Sequence, residues 1–147
     1  MNQDQGELNM ELASGIAAFE SKQFSRAAGL LGPLAEQGDP QAQYRVAIMA
    51  QNGLGMQENP PLAYRYMQAA AAAGLGFAQH GLGFMYLEGE CAPQDPVQAA
   101  IWFRKAADQG LAGAQNALAI LYEEGRGVPQ DSAEAKRWHH LAGFEEG

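Results

Sequence analysis

Residues 78–110 read Ala78-Gln79-His80-Gly81-Leu82-Gly83-Phe84-Met85-Tyr86-Leu87-Glu88-Gly89, then Glu90-Cys91-Ala92, then Pro93-Gln94-Asp95-Pro96-Val97-Gln98-Ala99-Ala100-Ile101-Trp102-Phe103-Arg104-Lys105-Ala106-Ala107-Asp108-Gln109-Gly110. Leu82, Met85 and Tyr86 fall at helical spacing, with Ala78 and Gln79 one turn earlier, which predicts a helix over Phe77 to Glu88. Gly89 stops it, because glycine tolerates the positive φ of a helix C-terminus, and Pro93 could not continue it. Asp95 before Pro96 is an N-cap followed by proline at the first helical position. The second helix, Pro96 to Gln109, is expected to bury Ala99, Trp102 and Ala106, with Phe103 beside them, and Gly110 closes it. The stretch is a helical hairpin.

The same landmarks recur on both sides at a spacing of 36 residues, without gaps. Gly38, Gly74 and Gly110 obey the step, as do Gly53, Gly89 and Gly125. So do Ala42, Ala78 and Ala114, Gln43, Gln79 and Gln115, and Ala63, Ala99 and Ala135, and the aromatics Tyr66, Trp102 and Trp138. Self-similarity at such a period marks stacked supersecondary units. The third copy repeats the turn as Gly125-Arg126-Gly127-Val128-Pro129-Gln130-Asp131-Ser132, and the first holds Asn59-Pro60-Pro61 at the cap. Ala27 and Ala35 keep Phe24 to Gln37 in register as a second helix. Leu8 to Glu20 carries Leu8, Leu12, Ile16 and Phe19 at nearly helical period but lacks the landmarks, as an atypical capping repeat does. Small residues at Ala47, Gly83 and Ala119, and at Ala70, Ala106 and Ala142, let helix axes approach to about 8 Å. Gly83 inside a helix costs about 1 kcal/mol against alanine, and close packing is the expected compensation. Each hairpin leaves an apolar face that only the next can cover, so the fold class is an all-α solenoid of about eight helices in four hairpins. The expected organisation is one domain, 1–147, with a divergent capping hairpin at 7–38 and repeats at 39–74, 75–110 and 111–144.

The string from Ala78 to Gly89, followed by Pro93-Gln94-Asp95, Ala99, Trp102 and Lys105-Ala106-Ala107-Asp108-Gln109-Gly110, closely resembles the Sel1-like repeat, a relative of the tetratricopeptide repeat. The third copy matches nearly as well through Ala114-Gln115, Gly125 to Asp131 and Trp138. The resemblance covers roughly Asp39 to Ala142 strongly. It implies a right-handed superhelix of antiparallel helix pairs and an adaptor role in protein complexes. Many members are bacterial, and some are periplasmic or secreted. A cysteine-rich branch ties each hairpin with a disulfide and is linked to β-lactam-like ligands. This chain lacks those cysteine pairs, so that role does not carry over.

The composition narrows the function classes. The chain has 147 residues and a formal charge of −8, from 17 acidic and 9 basic residues, and a pI near 4.7. That balance argues against nucleic-acid binding and against a polybasic membrane surface, which need clustered Lys and Arg. The single cysteine, Cys91, excludes an internal disulfide and a multi-cysteine metal site. The longest apolar stretch, Ala69 to Ala78, is half of what a bilayer span needs, about 20 residues. The first fifteen residues hold Asp4, Glu7 and Glu11 and no Lys or Arg, so they lack the positive start of a signal peptide. A cytoplasmic location is the expectation, or a periplasmic or secreted one if the chain is a processed form or fragment.

The concave groove of such a solenoid is lined by the first helix of each pair. Ala42, Val46 and Ala50 mark the packed face, which leaves Gln41, Tyr44, Arg45, Ile48 and Asn52 outward. Their equivalents are Phe77, His80, Phe84 and Glu88, then Asn116, Ile120 and Glu124. Tyr44, His80 and Asn116 differ chemically on a constant scaffold, as a recognition surface does, and Ile48, Phe84 and Ile120 would add an apolar stripe for a helix or an extended peptide. The same three could equally belong to the core. The candidate partner-binding set is therefore Tyr44, Arg45, Ile48, Phe77, His80, Phe84, Asn116 and Ile120. No metal or cofactor is expected: His139 and His140 point about 100° apart on a helix, and His139 aligns with the packing positions Met67 and Phe103. Cys91 replaces a turn glycine found at Gly55 and Gly127, and the flanking Glu88 and Glu90 disfavour its thiolate. Ser14, Ser21, Ser25 and Ser132 lie in helices or at a cap, outside any nucleophile elbow. Glu88, Glu90, Asp95, Glu123, Glu124 and Asp131 form an acidic rim that keeps the protein solvated or attracts a basic partner.

The sequence therefore predicts a non-catalytic protein-interaction module that takes a peptide or protein segment in its groove. One alternative is a self-assembling component that dimerises through Trp138, Leu141 and Phe144. Another, by family analogy alone, is a hydrolase or small-ligand binder, for which the residues supply no acid–base pair.

Overall fold

The computed structural model describes the backbone of residues 3–143 and the side chains of residues 5–143. Among the described residues there are eight helices and no strand: α1 (Gln3–Glu20), α2 (Phe24–Glu36), α3 (Pro40–Asn52), α4 (Pro60–Ala72), α5 (Gly76–Glu88), α6 (Pro96–Asp108), α7 (Ala112–Glu124) and α8 (Ser132–Leu141). They form two compact units, Met1–Leu75 with α1 to α4 and Gly76–Gly147 with α5 to α8. In the first, α1 packs on α2, α2 on α3 and α3 on α4, with α1 also touching α3. In the second, α5 packs on α6, α6 on α7 and α7 on α8. None of the described helices is long and apolar enough to cross a membrane.

The caps explain why the helices begin where they do. The Asp39 carboxylate accepts from the Ala42 N–H at 2.9 Å, and the side chains of Asn59, Asp95 and Asp131 accept from Leu62, Gln98 and Glu134 at 3.1–3.2 Å. Each satisfies one of the amide donors that a helix start leaves open. Pro40, Pro60 and Pro96 follow their caps at a position where no N–H is needed. At the other end of α5, Gly89 sits at φ 68°, the left-handed backbone that halts the helix.

The recurring glutamine has a packing role. Gln115 is buried, and its side-chain N–H donates at 3.1 Å to the Ala107 carbonyl in the last turn of α6. Gln43 makes the same bond at 3.2 Å to Ala35 in the last turn of α2. Those carbonyls also accept from Gly110 and Gly38, so each glutamine fixes the first helix of one pair to the end of the preceding second helix.

The core of the second unit is built from Ala99, Ala100, Phe103, Ala106 and Ala107 of α6, from Ala114, Leu118, Ala119 and Leu121 of α7, and from Trp138 of α8. Phe103 is fully buried, whereas Trp102 is only half-buried. This corrects the sequence expectation for Trp102. The inward line of α6 runs through Ala99, Phe103 and Ala106, which sets residue 102 about 100° to one side, where its ring lies under the Lys105 ammonium at 5.6 Å. Phe103 fits because α5 presents Gly83: a Cβ there would stand 2.7 Å from the Phe103 ring. The compensation for a glycine in mid-helix is thus a large aromatic filling the space it leaves.

At the C-terminal end, Trp138 folds back into this core at 3% exposure. The Arg137 and Arg104 guanidiniums lie 4.5 and 5.8 Å from its ring. Trp138 is therefore no part of an exposed end face. Leu141 is exposed, and Phe144 lies outside the described residues.

Candidate binding face

Ala42, Val46 and Ala50 of α3 are buried, and the residues expected beside them divide between contact and solvent. Tyr44, Arg45 and Ile48 are each half-buried. The Arg45 guanidinium donates to the Gln41 carbonyl at 3.0 Å and to its side-chain oxygen at 2.8 Å. It lies 5.9 Å from the Phe19 ring and 5.8 Å from that of Tyr44. Arg45 is thus held between α1 and α3 rather than reaching into solvent. Burial raises the Tyr44 pKa, and Arg45 opposes the rise. Asn52, at the end of α3, is exposed and donates to the Ile48 carbonyl at 2.9 Å.

In the second unit, Phe77, Phe84 and Ile120 are 57%, 41% and 38% exposed. Phe84 meets the buried Phe103 edge-on, with ring centroids 5.0 Å apart, and the imidazole of His80 at the same distance. Half-buried His80 is desolvated, which lowers its pKa from 6.5. Gly113 of α7 lies beside this ring, where a Cβ would make ordinary contact with the His80 Nε2 at 3.4 Å. Between α5 and α7 lies a hollow of about 190 Å³ lined by Phe84, Leu87, Asn116 and Ile120, among others, with Glu124 and Arg126 at its polar end. The Arg126 guanidinium donates to the Leu87 carbonyl at 3.2 Å.

The structure therefore brings Phe84, Asn116 and Ile120 together at one hollow, with His80 against Phe84. Phe77 is exposed one turn before His80 on α5 and does not line the hollow. Tyr44, Arg45 and Ile48 belong to the first unit. Leu87, Gly113 and Arg126 were missed from the sequence. The signal for Arg126 was present: the same turn position holds Leu54 and Glu90 in the other copies. His139 meets Glu123 at 2.8 Å. Among the described residues no group of three His, Cys, Asp or Glu side chains could hold a metal ion.

Helical hairpins capped at a fixed period, joined by buried glutamines and exposing variable first-helix side chains, define a helical-repeat protein. The Sel1 repeat model matches residues 40–75, 76–111 and 112–143, and the chain belongs to that family. It is similar to a Sel1 repeat protein from Oxalobacter formigenes, with 32% identity and a TM-score of 0.83 over 88% of this chain and 54% of that one. It is also similar to c5321, a protective antigen present in uropathogenic Escherichia coli strains, with 33% identity and a TM-score of 0.87 over 95% of this chain and 31% of that one. These likenesses show the all-α solenoid fold, and the chain spans about half the length of one relative and under a third of the other. No curated protein matches the chain. Sel1 repeats generally mediate protein–protein interaction as non-catalytic scaffolds.

Proposed function

We propose that this chain is a non-catalytic adaptor that binds a peptide segment of another protein on the face formed by α5 and α7. The observation that carries the reading is the hollow between Phe84 and Ile120. Two large apolar side chains stand at solvent there, around a space of about 190 Å³. Small-molecule sites typically hold about 300–1,000 Å³, so this volume suits one anchoring side chain rather than a metabolite. Asn116, Glu124 and Arg126 at the margin supply donors and acceptors that would fix a peptide's register. The helices hold these groups in place before binding, which reduces the ordering entropy lost on association.

The test uses the parent chain and the Phe84→Glu and Ile120→Glu variants as parallel baits, after circular dichroism has shown all three to be helical. A protein partner held by the parent and released at least tenfold more readily by both variants is the expected outcome. Equal retention by all three baits, or capture of nothing but further copies of the parent, would overturn the reading.

A further inference from the structure

The outward side of α6 carries an apolar stripe that the repeat does not require. Val97 and Ile101 lie one turn apart, 56% and 44% exposed, and Arg104 and Lys105 occupy the next turn. The 36-residue register shows what the sister helices hold at these places. Ser25, Pro61 and Ala133 stand for Val97, and Gly29, Arg65 and Arg137 stand for Ile101. The Arg104-Lys105 pair is replaced by Gly32-Pro33, Gln68-Ala69 and His140-Leu141. Helices α2, α4 and α8 therefore form with small or polar residues where α6 exposes a valine and an isoleucine. Packing of the repeat does not account for them, and contiguous exposed apolar side chains bordered by charge mark interaction sites.

Val97 and Ile101, with Ala100 beneath and Val128 opposite, line an open trough of about 360 Å³ between α6 and the α7–α8 turn. One wall is closely packed: Gly127 presses so closely on the Pro96 carbonyl that a Cβ there would collide with it. The cations at the far end are held as well. Arg104 donates to the Tyr122 hydroxyl and lies 5.6 Å from the Tyr122 ring and 5.8 Å from that of Trp138. Lys105 lies 5.6 Å from the Trp102 ring. A cation stacked on an aromatic face keeps donors free at its edge. The one acid among the residues that line the trough is Asp108, while Glu134 beyond it is paired with Arg137 at 3.0 Å. In the lining itself Arg104 and Lys105 outnumber Asp108, so the far end of the trough is positive on a chain of net charge −8.

We infer that this trough docks an acidic amphipathic helix of another protein. Two apolar side chains one turn apart would rest on Val97 and Ile101, and carboxylates on the next turn would face Arg104 and Lys105. From Val97 to Lys105 the stripe is about 12 Å long at 1.5 Å per residue, two turns of a partner helix. Complementary charge sets its direction and excludes basic helices. The site shares no residue with the α5–α7 hollow, so either can stand without the other.

The test is a titration of the isotope-labelled full chain with two synthetic helical peptides, followed by the backbone amide resonances. Both peptides carry leucine at i and i+4; one has glutamate at i+7 and i+8, the other lysine. Saturable shifts at Val97, Ile101, Lys105 and Val128 are expected with the glutamate peptide, with binding at least tenfold weaker for the lysine peptide. Ile101→Glu should lose the glutamate peptide at least tenfold while melting like the parent, because the sister positions already hold the charged Arg65 and Arg137. The inference is overturned if the glutamate peptide moves none of these amides at millimolar concentration, if both peptides bind alike, or if Ile101→Glu binds as the parent does. It is also overturned if ultracentrifugation finds the parent dimeric and Ile101→Glu monomeric, since the occupant is then a second copy.

Discussion

Phe103 and Trp102 are adjacent in the chain and unequal in the core. Phe103 is sealed between Gly83 of α5 and the alanines around it, so Phe103→Ala should cost about 3–5 kcal/mol, as large aromatic truncations do. Half-buried Trp102, truncated likewise, should cost about 1–2 kcal/mol. Urea unfolding of both variants checks the order, and a larger loss at Trp102 would refute this packing. Cys91 raises a backbone question instead. It sits at φ 65°, and its turn equivalents Gly55 and Gly127 at 67° and 74°. A left-handed non-glycine residue costs roughly 1–2 kcal/mol, and the greater freedom of unfolded glycine offsets about 0.4–1 of that. Cys91→Gly should therefore be mildly stabilising, by about 0.5–1 kcal/mol. Gly127→Cys should cost about 2–4 kcal/mol, combining strain with collision against the Pro96 carbonyl. His80 supplies a pH signature. Burial lowers its folded pKa below the ordinary 6.5, so the unfolded chain binds the proton more readily. Its stabilising effect is complete above pH 6.5 and is lost as the pH falls through the lowered folded pKa. Melting curves of the parent and His80→Asn between pH 7.5 and 5 should converge or cross as the parent loses ground. Parallel curves would mean that the imidazole is not desolvated.

At the scale of the element, the side-chain caps are the feature on which the hairpins depend most visibly. Asp95 accepts the Gln98 N–H at 3.1 Å, and Asp95→Ala should cost about 1 kcal/mol. Asp95→Asn should cost little, because Asn59 caps α4 with the same geometry. Denaturant midpoints distinguish the two. These caps and the turn glycines were legible because they recur at one step, and α2, α5 and α6 begin within a residue of where the sequence put them. The helix α1 was harder to place. Only residues 21–23 separate α1 from α2, whereas residues 53–59, 89–95 and 125–131 separate the later pairs. That turn is four residues shorter, so a comparison without gaps cannot align α1. Once the shortening is allowed for, Gly15 takes the place of Gly83, and its Cβ position lies 2.7 Å from Leu31 Cγ, where Leu31 is the counterpart of Phe103. The misjudged Trp102 has a related cause: a run of Ile101-Trp102-Phe103 is apolar on three sides of a helix, and periodicity alone cannot choose which residue points inward.

At the scale of the whole molecule, the candidate face was only partly legible. Copy-to-copy variation singled out Tyr44, His80 and Asn116, and the outward register offered Ile48, Phe84 and Ile120 as an apolar stripe, but Arg45 was read as outward when ring contacts and its own helix hold it. A long cationic side chain chooses its place from three-dimensional neighbours that a helical register does not show. Charge, by contrast, is fixed by composition, and it bears on stability throughout. Seventeen acidic residues face nine basic ones, and among the described residues the Arg137–Glu134 ion pair and the His139–Glu123 contact lie at or near the surface, where such pairs contribute about 0–1 kcal/mol. Net repulsion in the folded state therefore outweighs what those pairs return. Salt shortens the reach of that repulsion from about 30 Å at 0.01 M to about 8 Å at 0.15 M, while it weakens only pairs of small worth. The melting temperature at pH 7.5, where His80 is neutral, should rise by about 2–4 °C over that range, the equivalent of about 1 kcal/mol. Scanning calorimetry at the two salt concentrations checks it. A fall instead of a rise would show that attractions between individual charges outweigh the net excess of carboxylates.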